Sequence, residues 1–438
     1  MESKRLTALF ALFFFVLTGC QSLFATNVDA TPAPTSVPLP MDTPAPAMTT
    51  DPTEVSPTDT PAPTETEPPA ATATEVSETV TSGEVVAQPT RVVAPPGELN
   101  LPTGFGISLY AEGLNDPRMM TVGPDGMAYV AERGAGRIVR LPDRDEDGVA
   151  DEVEVIADGL NAPSSLDFYT DGSLYVGETT RVVRLFNPDN EGAFQDRETI
   201  IEGLPDGGHT TRTVLFSPDG AYLYVSVGSS CNVCIEDDDR RSTIMRYQPD
   251  GSDGMIYTEG LRNAVGITFR PGTDELWATN NGRDWLGDDQ PPETIYRVTE
   301  GEDAGWPQCH AGRIIDPDYG EEGSCENVSD PEVEFQAHTA PLGLTFYTGT
   351  QFPERYQGGM FVGLHGSWNR TVPVGYKVIH IPMENGEPGQ VQDFAVGWLQ
   401  DDGSKWGRPV DVVTASDGSL LISDDGEGRI YRAFYQGE

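Results

Sequence analysis

Six times between residues 118 and 433 the chain repeats one pattern: a glycine or aspartate turn, a short apolar strand, then a second apolar strand that carries a basic residue. The turns are Gly123-Pro124-Asp125-Gly126, Thr170-Asp171-Gly172, Ser217-Pro218-Asp219-Gly220, Pro271-Gly272-Thr273-Asp274, Tyr356-Gln357-Gly358-Gly359 and Ser416-Asp417-Gly418. The segments after them read MAYVAE, SLYVGE, AYLYVSVG, ELWATNNG, MFVGLHG and SLLISDDG, and then come RIVRL, RVVRL, IMRY, IYRV, VIHI and IYRA. The first turn glycines are 46 and 48 residues apart, and the largest insertion falls in the fifth unit. A β-patterned repeat of roughly 40–50 residues stacks radially, because one unit cannot bury its apolar face alone. The repeat predicts an all-β, six-bladed β-propeller over residues 98–438, with six sets of loops converging on a central channel.

The ends read differently. Lys4 and Arg5 precede an apolar run, Leu6–Leu17, which is too short for a comfortable membrane span. It closes on Leu17-Thr18-Gly19-Cys20, which resembles a bacterial lipobox. Residues 1–20 are therefore expected to be a lipoprotein signal peptide, with Cys20 lipidated and the protein extracytoplasmic and held to the membrane through that lipid alone. Residues 21–97 are loose Pro, Thr, Ala and Glu repeats, too poor in apolar groups to offset ordering entropy, and read as an extended tether. In polyproline form that length reaches at most on the order of 200 Å. Seventy acidic against 27 basic residues give a net charge of −43, most of it beyond the tether. Such a field disfavours nucleic acid and other polyanions as partners and is compatible with neutral small molecules.

Four cysteines remain after Cys20, an even number in an exported domain. Local pairing, Cys231–Cys234 and Cys309–Cys325, is the simplest of three arrangements. A redox dithiol or half a zinc site are the other uses of Cys-x-x-Cys, but no second such motif exists. Asp143, Asp145, Asp147, Val149, Asp151 and Glu154 stand at positions 1, 3, 5, 7, 9 and 12 of a calcium-loop pattern with Gly148 at position 6. Its flanks read as strands, so the expectation is a structural Ca2+ loop at a blade rim, against the alternative of a solvated acidic turn.

Loops leading into the first strand of each unit carry polar groups that a structural copy does not need: His209, Arg212, Arg262, Asn263 and Arg408. Several arginines facing one channel repel one another unless an anion lies between them, which asks for a polyanionic ligand held by guanidinium groups. The segments GGHTTRTVLFSPDG, LYVSVGSSCNVC, GLRNAVGITF, NNGRDWLGDDQPPETIYRV, GEDAGWP, HGSWNRTVPVGYKV and KWGRPVDV resemble the glucose/sorbosone dehydrogenases, most of all the sorbosone and pyranose dehydrogenase branch. The likeness covers nearly all of 99–435.

That resemblance implies a six-bladed quinoprotein using pyrroloquinoline quinone (PQQ) and calcium, a sugar dehydrogenase that oxidises an aldose or related sugar. PQQ carries three carboxylates for arginines to neutralise, calcium polarises the reactive carbonyl, and a base takes a hydroxyl proton while hydride moves to the quinone. His209 matches the family's base, and a histidine suits the task because its unperturbed pKa lies near neutrality. Arg262 and Asn263 match the pair that touches cofactor and substrate, and Arg408 matches an arginine on a PQQ carboxylate. Arg370 or His365 takes the place of a family lysine, and Trp368 is placed to stack on quinone or sugar. The cofactor calcium is expected at Asn281-Gly282-Arg283 followed by Glu293, with Asp288 or Asp289 as alternatives. Electrons would leave to an external acceptor, a cytochrome or the quinone pool, since no Cys-x-x-Cys-His haem motif occurs. Two other readings compete: a calcium-dependent lactonase propeller, and a non-catalytic binding propeller.

Overall fold

The computed structural model describes residue 95 and residues 97–437. The expected signal peptide, Cys20 and all but the last residues of the expected tether lie outside the described residues. The fold is the predicted six-bladed β-propeller, nearly all β with one short 3-10 turn, Glu354–Tyr356.

Each blade is a four-stranded antiparallel meander, to which blade 3 adds a short fifth strand. The predicted turns join first strand to second, and the predicted basic-apolar strands are the third. The first strands are Pro117–Val122, Ser165–Phe168, Val214–Phe216, Ile267–Phe269, Pro341–Phe346 and Pro409–Thr414. All six contribute to the wall of one central cavity of about 130 Å³, so these are the inner strands of the channel. The second strands, such as Ala128–Glu132 and Leu174–Glu178, are buried along their whole length. They are sandwiched between neighbouring blades, which explains why they read as apolar runs rather than alternating ones. The aromatic and aliphatic residues of adjacent blades interdigitate, as Tyr129 and Ile138 do with Leu166 and Leu174.

The repeat alone does not show how the ring closes. Phe105–Glu112 pairs antiparallel with Arg429–Tyr435, so the first described strand completes blade 6 and closes the ring. Leu99, Leu101 and Phe105 pack onto the same cluster as Trp398 and Tyr431. The largest insertion also falls elsewhere than expected. It is an excursion of blade 4 between the strands Glu293–Val298 and Val333–Phe335, not part of blade 5. Within it Glu302–Asp303 joins the edge of blade 3 in parallel, and Cys309–Cys325 closes the loop. The second expected disulfide, Cys231–Cys234, is also present.

Candidate active site at the channel mouth

A repeated hydrogen bond positions the loops at one mouth of the channel. In four blades the last residue of the second strand accepts the backbone N–H of the loop leading into the inner strand: Glu132 from Asn115 at 2.7 Å, Glu178 from Asn161 at 2.9 Å, Asn280 from Asn263 at 3.1 Å and Asp424 from Arg408 at 2.8 Å. Blades 3 and 5 break this rule. Their second strands end in Val227 and Leu364, and the chain continues as Gly228-Ser229 and His365-Gly366. The two blades that abandon the structural cap are the two that present His209 and His365.

His209 lies over Gly228. A Cβ at Gly228 would sit 2.5 Å from Asn263 Oδ1 and 2.6 Å from His209 Cβ, so the bare glycine lets both side chains converge. The ring Nδ1 lies 3.0 Å from the Ser229 carbonyl and 2.9 Å from Ser229 Oγ. A carbonyl only accepts, so Nδ1 carries the proton and Nε2 presents a lone pair. No described residue bonds Nε2. Burial, followed by the nearby Arg262 charge, lowers the His209 pKa to about 4, and the imidazole is neutral at physiological pH.

Arg262 is buried. Its Nε donates to the Asn232 carbonyl at 2.8 Å, and its Nη2 to Asn232 Oδ1 and Asp284 Oδ2, both at 3.0 Å. Asp284 Oδ1 also accepts from Asn369 Nδ2 at 2.7 Å, so its carboxylate ties Arg262 to the blade 5 loop, while its backbone is bonded to Asn232 of the disulfide loop. The opposite side is built on Asp425, which accepts from Arg118 and, at 2.8 Å, from His365 Nε2. His365 Nδ1 in turn accepts from Arg408 Nη2 at 2.9 Å. Both ring nitrogens of His365 are committed, so it positions Arg408 and has no lone pair for a substrate. Burial, its largest influence, lowers its pKa to about 4. Burial alone would raise Asp425, but His365 and Arg118 hold it below the usual range.

These groups share a floor. Met119, Val265, Leu342 and Val410 form a buried cluster across the inner strands of blades 1, 4, 5 and 6. Arg118 precedes Met119, Asn263 lies two residues before Val265, and Arg408 two before Val410. The arginines therefore rise from the rim of an apolar plug that separates them from the cavity beyond.

Two expectations need correction and a third is narrowed. Arg212 does not face a ligand: it is fully buried and donates to the carbonyls of His209, Thr211 and Pro205, bracing the His209 loop from beneath. Arg370 donates to the carbonyls of Asp288, Ala337 and Val372 and pairs with Asp289, so its guanidinium fastens two loops. In the acidic loop, Asp143, Asp145 and Asp147 bring carboxylate oxygens within 4.8 Å of one another, but Glu154 is held by Arg140 and Arg144 and Asp151 accepts the Arg144 N–H. A cation there has three clustered carboxylates, not the full loop.

The expected cofactor-calcium ligands are partly engaged. Asn281 Nδ2 donates to the Pro341 carbonyl at 2.8 Å, Glu293 accepts the Gly282 N–H at 2.6 Å, and Arg283 pairs with Asp316 and Asp318. Trp368 is exposed and lies edge-to-face with Trp285, ring centroids 5.2 Å apart. Sequence reasoning missed Arg118, Gly228, Ser229, Asn232, Asp284, Asn369 and Asp425. The signal available for Gly228-Ser229 and His365 was the loss of an acidic or amide residue where the other four blades keep one.

The donor set suits a small polycarboxylate. Arg118 and Arg408 flank the Asp425–His365 pair, and the half-buried Asn263 amide adjoins an unpartnered His209 Nε2; Arg262 is committed to Asn232, Asn281 and Asp284, and among the described residues no carboxylate pairs with Arg408. This fits PQQ, whose carboxylates ask for guanidinium donors.

The fold is thus a six-bladed propeller with arginines and a neutral histidine at one mouth. A family described as a domain of unknown function (DUF7133) matches residues 96–436, and the chain belongs to it. An uncharacterized protein of Borreliella burgdorferi is 30% identical over 354 residues, covering 77% of this chain and 91% of its own. The homologues include a PQQ-dependent pyranose dehydrogenase of Coprinopsis cinerea, 25% identical over 77% of this chain. The chain spans 54% of that relative's length. The holo form of its PQQ domain superposes with a TM-score of 0.68 at 23% identity, covering 78% of this chain and 98% of that domain. A calcium structure of a Trichoderma reesei carbohydrate-active enzyme of family AA12 gives 0.69 at 21% identity, covering 79% of this chain and 99% of the other. These structural likenesses establish the fold.

Proposed function

We propose that this protein is a PQQ- and calcium-dependent dehydrogenase that oxidises an aldose or related pyranose sugar. The observation that carries the reading is the unpartnered Nε2 of a neutral His209 facing the same mouth as Arg118, Arg262 and Arg408. Bound PQQ, with calcium polarising its reactive carbonyl, supplies the hydride acceptor. His209 Nε2 accepts the proton of the sugar hydroxyl being oxidised. The Ser229 carbonyl and hydroxyl hold the Nδ1 proton in place, and they stabilise the imidazolium that forms. Arg408 and Arg118 would hold cofactor carboxylates, with Asp425 balancing their charge. Asn263, beside His209, would contact cofactor or substrate, and the exposed Trp368 would offer a face for the sugar ring. Asn281, Glu293 and the Arg283 main chain are the candidates for the calcium. We further propose that the protein is exported, lipidated at Cys20, and carried on the tether of residues 21–97, with electrons passing to an external acceptor.

The homologous sugar dehydrogenases support the class of reaction, and the donor set supports the cofactor. The test is a pair of variants. His209→Asn keeps the site's shape and should bind PQQ near the wild-type affinity with turnover lowered roughly 10²–10⁴-fold. Arg408→Ala should weaken PQQ binding itself. Wild-type turnover in His209→Asn would remove the proposed base.

A further inference from the structure

The four most exposed large apolar side chains among the described residues are Trp285 (66%), Val372 (65%), Trp368 (64%) and Ile235 (63%); no other exceeds 45%. All four sit on the three loops that border the candidate site, and those loops are laced together. Asn232 Nδ2 donates to the Asp284 carbonyl at 3.0 Å, and the Asp284 N–H to Asn232 Oδ1 at 2.7 Å. Asn369 reaches Asp284, and the Thr371 N–H reaches Asp288 at 3.2 Å. Trp285 is held at φ +70°, a left-handed conformation that a bulky residue rarely adopts. Flanking Arg283 and Asp284 are both anchored, so this conformation presents an indole to solvent.

Charge around this collar is net acidic. The four carboxylates of residues 236–239, with Asp284, Asp288 and Asp289, outnumber Arg240, Arg241, Arg283 and Arg370 on the same loops. Asp237 and Asp239 are exposed, while Arg240 is paired with Asp238 and Arg370 with Asp289 at 3.4 Å. An apolar centre with an acidic rim matches a partner with an apolar contact patch ringed by lysines.

The proposed reaction states what such a partner would do, and the inference rests on that reading. Each sugar oxidised leaves two electrons in the site. The chain has no haem motif, its Cys231–Cys234 and Cys309–Cys325 pairs are disulfides, and the described residues hold no further cluster of thiol and imidazole ligands. We propose that the Ile235–Trp285–Trp368–Val372 collar is the docking surface for a small cationic electron-transfer protein. Two ferric haems, in successive encounters, each take one electron, and the two hydrogens removed from the sugar leave to water as protons.

The test uses the full chain loaded with PQQ and calcium, a sugar, and three oxidants: a lysine-rich c-type cytochrome, an acidic c-type cytochrome and a small neutral dye. The basic cytochrome should be reduced faster than the acidic one, with a second-order rate that falls roughly tenfold or more between about 20 and about 300 mM salt. Ile235→Lys combined with Val372→Lys removes apolar contact and opposes the partner's charge, and should slow the basic cytochrome at least tenfold and leave the dye rate unchanged. Equal rates for both cytochromes, or a wild-type cytochrome rate in the double variant, overturns the proposal. If the dye is not reduced either, the dehydrogenase reading fails on its own. Calorimetric binding of the oxidised basic cytochrome then still decides the surface: binding lost in the double variant upholds it, and no binding, or binding indifferent to the variant, overturns it.

Discussion

Replacing Gly228 with alanine is the sharpest probe of how the site is assembled. The new methyl would lie 2.5 Å from Asn263 Oδ1 and 2.6 Å from His209 Cβ. Comfortable non-bonded contacts begin near 3.5 Å, so the two side chains must together yield about 1 Å on each side. His209 cannot yield freely: it is held at Nδ1 by Ser229, and its backbone N–H donates to the Ser229 carbonyl at 2.9 Å, whereas Asn263 Oδ1, at the end of its side chain, can turn aside and lose its place beside His209. Overpacking of this kind costs about 1–3 kcal/mol of stability. A catalytic group misplaced by about 1 Å costs on the order of 10² in rate. Gly228→Ala should therefore remain folded, melt several degrees lower, and lose roughly 10²-fold in kcat for sugar-dependent dye reduction. Ser229→Ala is the milder companion, because it removes the hydroxyl and keeps the carbonyl; a loss of roughly tenfold or less is expected. A Gly228→Ala protein that melts lower but turns over at the wild-type rate would refute the claim that His209 and Asn263 act from these positions.

Other consequences follow from the same geometry. Asp425→Ala removes the acceptor shared by Arg118 and His365, so the two arginines beside it lose their counter-charge; PQQ affinity should fall at least tenfold in equilibrium titration, more than kcat falls at saturating cofactor. His209 is lowered to about 4, so its free-base form dominates above that value; kcat/KM should be flat near neutrality and decline as pH falls through about 4, whereas an acid limb centred near 6.5 would contradict the buried, Arg262-flanked imidazole. Asp145→Asn with Asp147→Asn should abolish any calcium-dependent rise in melting temperature from the blade 1 loop while sparing PQQ affinity, and an unchanged calcium response would place the stabilising ion elsewhere.

Much of the fold was written in the turns and the second strands, because both obey local rules. Asp-Gly and Pro-Asp-Gly turns need particular backbone angles, and a strand buried between two blades must be apolar throughout. Blade 6 closure was not legible, since nothing in FGISLYAE says that its partner lies more than three hundred residues away. The excursion of blade 4 was misplaced for a related reason: spacing counts residues but does not say between which strands they leave the ring. In the site, His209, Arg262, Asn263 and Arg408 stood out because charged, titratable or amide groups interrupt a repeat that does not need them. Arg212 shared that signal and turned out to be a brace, because a guanidinium satisfied by three carbonyls looks the same in sequence as one awaiting a ligand. Arg118 and Asp425 were overlooked for the opposite reason. Each lies in a segment that resembles its repeat partners, and only the convergence of blades 1, 5 and 6 makes them neighbours of His365.

The most direct measurement is a titration of the protein with PQQ in calcium, following the quinone absorbance, and then the addition of a panel of aldoses. The account predicts one PQQ bound per chain, weakened in Arg408→Ala, with bleaching that depends on sugar and disappears in His209→Asn. Folded protein that takes up no PQQ at micromolar concentration would contradict it.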